Sequence, residues 1–106
     1  TYCTAQGNIL AGEEVLTKMV EAFERTDGHL SVRLMAALDA GQAAGGDTRG
    51  MQSAAMIIVK KNGGVWLNND IVIRLQVDDA PDPLAELRRL VDIAEQQRER
   101  IQERSR

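Results

Sequence analysis

Leu16, Met19, Val20 and Phe23 recur at i, i+3, i+4 and i+7, the spacing that gathers one stripe of an α-helix. Glu13 and Glu14 stand ahead of it, where carboxylates suit the positive end of the helix dipole, and Asp27-Gly28 closes it. A second face, Leu30, Leu34, Ala37, Leu38 and Gly41, predicts a helix over about 30–44 with Gly45-Gly46 as its C-cap. Ahead of both, residues 1–8 are rich in β-formers and end at the turn signal Gly7-Asn8, so a short strand is expected over 2–6.

Past the second helix the period changes. Ala54-Ala55-Met56-Ile57-Ile58-Val59 is apolar at every position, within a strand expected over 52–61. A run of that kind predicts a central strand covered on both faces. Asn62-Gly63-Gly64 is a tight turn, and Val65-Trp66-Leu67 begins the return. After Asn68-Asn69, Ile71, Ile73, Leu75 and Val77 alternate with Val72, Arg74 and Gln76, which leaves the strand half exposed from Arg74 onward. Asp82-Pro83 is an N-cap and N1 pair for a last helix bearing Leu84, Leu87, Leu90, Val91 and Ala94 on one side. Beyond Ala94 the chain is charged, with Ile101 its one large apolar residue, so residues 93–106 read as a solvated helical extension.

The expected order is β-α-α-β-β-α, an α+β arrangement. Its sheet is too small for its own apolar faces, because a strand like 54–59 needs neighbours on both edges. The sheet is therefore expected to be completed by something outside this chain.

Composition narrows the function. The 106 residues are 43% apolar and 27% charged, ordinary values for one folded domain. A net charge of −3 and three dispersed aromatics, Tyr2, Phe23 and Trp66, speak against a nucleic-acid surface or a base-stacking platform. No apolar run approaches the ~20 residues that span a bilayer, and no signal peptide is evident. The single Cys3 cannot form an internal disulfide, which fits a cytoplasmic location.

Candidate chemistry gathers in the glycine-rich stretch Gly45-Gly46-Asp47-Thr48-Arg49-Gly50 and the Gln52-Ser53 that follows. Its backbone N–H groups together with Arg49 can face an anionic or carbonyl oxygen. The plainer account is a helix cap and turn, with Asp47 and Arg49 paired on the surface. Gln6 and Asn8 can offer amide groups to a ligand, or can simply build a turn. Asp78 and Asp79, adjacent on a strand, point to opposite faces and serve a turn better than a catalytic pair. His29 has no ligand-spaced partner, so no metal is expected, and no cofactor.

Three segments together, 5–12 (Ala-Gln-Gly-Asn-Ile-Leu-Ala-Gly), 43–55 (Ala-Ala-Gly-Gly-Asp-Thr-Arg-Gly-Met-Gln-Ser-Ala-Ala) and 77–90 (Val-Asp-Asp-Ala-Pro-Asp-Pro-Leu-Ala-Glu-Leu-Arg-Arg-Leu), resemble the C-terminal half of the DUF1028 family in order and spacing. That family is placed in the Ntn-hydrolase-like superfamily. The resemblance covers residues 1–92 and implies half of a four-layer αββα sandwich, with the superfamily's nucleophile in an absent N-terminal half. Two departures bear on activity. The family's Arg-Val-Asp-Asp-His is Gln76-Val77-Asp78-Asp79-Ala80 here, and Met51 stands where a basic residue is frequent. Thr1 invites comparison with N-terminal nucleophiles that use their own amine as base, yet the match sets it in mid-domain, where a chain boundary explains it better.

Two expectations follow. In the first, the chain supplies one wall of an amide-hydrolase pocket: Arg49 with neighbouring backbone donors binds an oxyanion or carboxylate, Gln6, Asn8 and Gln52 orient the substrate, and Gly46, Asp47 and Ser53 complete the ligand-binding set. Its partner is the N-terminal half of the same protein. In the second, the chain is a non-catalytic module whose sheet pairs with another chain in a homo- or hetero-oligomer.

Overall fold

A computed structural model describes residues 2–63 and 71–104. Thr1 and the start of the expected return strand, Val65-Trp66-Leu67, lie outside the described residues, as do Asn68 and Asn69. The chain divides into two compact units, Thr1–Gln52 and Ser53–Arg106.

The first unit is a helical hairpin. α1 spans Glu14–Arg25 and α2 spans Leu30–Ala43. Within the expected stripe Phe23 is buried, but Val15 goes fully inside where Leu16 is half-buried, a small rotation of the packed face. α2 is apolar nearly all round and buries Ser31, Met35, Ala37 and Gly41, while Leu30 lies at the exposed end of the expected face. Gly41 lets the helices close: a Cβ there would lie 2.8 Å from Met19 Cγ. Arg33 reaches back to α1, its guanidinium 4.1 Å from the Phe23 ring centroid. Its Nε and Nη2 donate to the Phe23 carbonyl at 3.2 and 3.1 Å, satisfying an acceptor that the end of α1 leaves open. His29 caps α2, its Nδ1 accepting from the Ser31 backbone N–H at 3.1 Å.

The expected strand 2–6 does not form: residues 2–7 carry no regular structure. Strand structure is a property of pairs of segments, and β-forming residues without a facing edge gain no ladder. What remains is a single antiparallel bridge a few residues later, Leu10 with Asp47.

The second unit joins a hairpin to a long helix. β1 spans Ala54–Val59, shorter than the expected 52–61, and β2 spans Ile71–Val77. They pair antiparallel from Ala54 with Val77 to Val59 with Ile71, with an irregularity between Ile58 and Val59. α3 spans Pro83–Arg104, so the charged extension continues the helix. Asp82 caps it, its Oδ1 accepting from the Ala85 backbone N–H at 3.1 Å, with Pro83 at the first helical position. Leu87 and Val91 are buried on the side that packs against both strands, each burial contributing about 1.5–3 kcal/mol.

Only one sheet face is covered. Met56, Ile58 and Val77 are buried, whereas Ile57 is 57% and Val59 61% exposed. The expectation of a strand shielded on both sides is corrected for this chain. Among the described residues the sheet has two strands, and α3 can cover only one face of it. Arg74 and Gln76 are exposed as the alternation implied. No described helix is long and apolar enough to cross a membrane.

Candidate functional site

α2 ends in a complete Schellman motif. The Gly46 N–H donates to the Gly41 carbonyl and the Gly45 N–H to the Gln42 carbonyl, both at 3.0 Å. The motif requires left-handed backbone after the helix, and Gly45 and Gly46 adopt φ of 121° and 58°. Gly46 is buried against Gln42, so the glycine pair is accounted for by helix termination and close packing.

The turn that follows meets the first polar segment of the chain. The Ala11 N–H donates to the Gly46 carbonyl at 2.8 Å, and the Thr48 N–H donates to the Ile9 carbonyl at 3.0 Å. Thr48 Oγ1 adds a second bond to that carbonyl at 3.1 Å. These bonds hold Ile9 at φ 57°, a left-handed conformation that a β-branched side chain rarely adopts. Segments far apart in sequence, 9–11 and 46–48, are thereby locked side by side, and local strain is retained where they meet.

Arg49 is already engaged. Its Nε donates to Asp47 Oδ1 at 2.9 Å and its Nη2 to Oδ2 at 2.6 Å, a bidentate fork. The Arg49 backbone N–H also donates to Oδ1 at 2.7 Å, closing an Asx turn. The guanidinium and then the backbone N–H hold the Asp47 carboxyl down to about 2, and the carboxylate in turn raises Arg49 above its ordinary value. A ligand anion at this arginine would share the guanidinium with Asp47 or displace it.

Gln6 and Asn8 are exposed in the irregular segment that leads into the clamp, and Gln52 is exposed beyond it. Ser53 belongs to the second unit. The structure thus brings Gly46, Asp47 and Arg49 to the segment that follows Gln6 and Asn8. Neither Thr48 nor Ile9 carries a signal of its own in the sequence, because their bonds exist only once the two segments meet.

Away from the clamp, Asp78 accepts from Gln76 Nε2 at 2.9 Å, and Asp79 turns the chain at φ 47°. The two aspartates serve the exit from β2. Cys3 is half-buried. Among the described residues no group of three or more His, Cys, Asp or Glu is placed to hold a metal ion.

Comparisons with known proteins agree on one family. The model of DUF1028, a family of unknown function, matches residues 1–87. The crystal structure of protein SPO2555 from Silicibacter pomeroyi, a DUF1028 protein, superposes with a TM-score of 0.67 at 34% identity. That alignment covers 83% of this chain and 36% of SPO2555, so the chain spans little more than a third of this relative. No curated protein matches. With its first 87 residues matching the family throughout, the chain belongs to DUF1028.

Proposed function

We propose that this chain is the C-terminal part of an Ntn-hydrolase-like αββα protein. In this reading its clamped loops, 6–12 and 45–50, form one wall of a pocket for an amide-bearing small molecule or peptide. The observation that carries the architecture is the one-sided sheet. A helix covers one face, the other is apolar and exposed at Ile57 and Val59, and a second sheet is what such a face packs against in a four-layer sandwich. The pocket assignment is supported by the clamp, where two polar segments converge on a strained Ile9 beside the Asp47–Arg49 fork.

The nucleophile comes from a segment outside this chain, and Arg49 receives an oxyanion or carboxylate when Asp47 yields part of the fork. The test is an amide-hydrolysis screen on the full product of the gene. Activity that falls about 10²-fold in Arg49→Ala, as for loss of one oxyanion donor, supports the role. A hydrolase indifferent to Arg49→Ala removes Arg49 from it, and an inert full product removes the hydrolase reading.

A second reading, a non-catalytic assembly module, is favoured by the same fork, which leaves Arg49 satisfied without any ligand. Light scattering on the full product distinguishes an obligate oligomer from a monomer.

A further inference from the structure

The open face of the β1–β2 hairpin is not uniformly apolar. β1 contributes Ala55, Ile57 and Val59, and β2 contributes Arg74 and Gln76. The register places Ile57 across from Arg74 and Ala55 across from Gln76, with cross-strand Cβ atoms about 5 Å apart. These four residues, with Met56 and Leu75 between them, line a shallow, open depression of about 270 Å³.

Arg74 is the anomaly. It is the one ionisable residue on either strand, its neighbour across the hairpin is aliphatic, and no described residue bonds to it. Among the described residues, the carboxylate nearest to it along the chain, Asp78, is bonded to Gln76. α3, with its charged side chains, packs on the opposite face.

α3 supports the hairpin from one side, and the apolar patch left exposed on the other, Ile57 with Val59, marks a surface that packs against further polypeptide. Covering it removes Arg74 from solvent. A buried guanidinium is tolerated only when paired and hydrogen-bonded, and its fork matches a carboxylate. We propose that an apolar β-layer of the same polypeptide covers this face and sets an Asp or Glu against Arg74. The proposal rests on the layered architecture proposed above.

A second copy fits less well. Two short strands present roughly 200 Å² of face, against about 800 Å² per partner in a standard interface. A two-fold axis through the apolar centre at Ile57 would also bring Arg74 toward its own symmetry mate. The 36% coverage of SPO2555 shows that a family member has ample further chain from which such a layer can be built.

Thermal unfolding of the full gene product at pH 7 and pH 4 provides the test, with Arg74→Met, Arg74→Lys and Ile57→Glu. In R74M the facing carboxylate is left buried and unpaired, so its folded pKa rises above its unfolded value. Stability is then lost as pH rises through that folded pKa and regained below the unfolded one. R74M should lower Tm at pH 7 by on the order of 10 °C, and the gap from wild type should shrink at pH 4. R74K, which keeps the charge but not the fork, should fall between, and it carries the test if R74M does not fold. Loss of stability in I57E with R74M at the wild-type Tm, or with a gap unchanged by pH, overturns the carboxylate and keeps the layer. An I57E protein as stable as wild type overturns the layer as well.

Discussion

Asp47 shows how much one residue decides when it sits between two others. Its carboxylate caps its own turn through the Arg49 N–H and holds the Arg49 guanidinium, so one half-buried acid fixes both backbone and side chain. The resulting pKa of about 2, down from 3.8, carries a sign. A carboxyl whose folded pKa is depressed contributes stability above its unfolded value and loses it as pH falls through the folded one. The turn should therefore hold above pH 3.8 and loosen as the pH approaches 2. An NMR titration of the Asp47 side chain should give a midpoint near 2 in the parent and a higher one in Arg49→Ala, still below 3.8 because the residue-49 backbone N–H goes on donating to the carboxylate. A midpoint that ignores the substitution would mean the fork is not formed in solution.

At the scale of elements, Gly41 marks where the two helices of the hairpin approach closely. Gly41 sits where a Cβ would lie 2.8 Å from Met19 Cγ and 3.6 Å from Val15 Cγ1. Met19 is flexible enough to move aside for a methyl group, and alanine is the better helix former, so Gly41→Ala should leave stability nearly unchanged. Gly41→Val extends the intrusion toward Val15, which is already buried, and should cost about 1–3 kcal/mol in urea unfolding through overpacking. Equal effects of the two substitutions would show that α1 and α2 do not pass this closely. The Arg33 contacts with Phe23 hold the same pair of helices together at its other end.

For the whole molecule the deciding feature is that, among the described residues, the sheet has two strands and leaves Ile57 and Val59 exposed on one face. In a two-stranded antiparallel ladder about half of each strand's N–H groups point outward without a partner. If further strands complete the sheet, β1 amides that exchange rapidly in the isolated 106-residue chain should gain protection in the full gene product, by 10²-fold or more as outward amides enter a ladder. Unchanged exchange would mean that no strand adds to β1. Buried Leu87 and Val91 should be protected in both forms, since α3 already covers its own side.

Much of this was readable from residue order. The 3.6-residue stripes gave α1 and α2 to within a residue or two, because a helix makes its hydrogen bonds within one segment and its signal is local. Gly45-Gly46 and Asp82-Pro83 marked helix ends for the same reason, since caps need only neighbouring residues. Strands behaved otherwise. Residues 2–7 have strand-like composition and form none, and the apolar run 54–59 is a strand with one face uncovered, because pairing and coverage depend on distant chain. Sequence alone also supplied the family, through three separated motifs, and named Asp47 and Arg49 as a potential surface pair. Only tertiary structure joined Thr48 to Ile9 and left Arg74 alone on an aliphatic face, since each follows from segments that meet only when the chain folds.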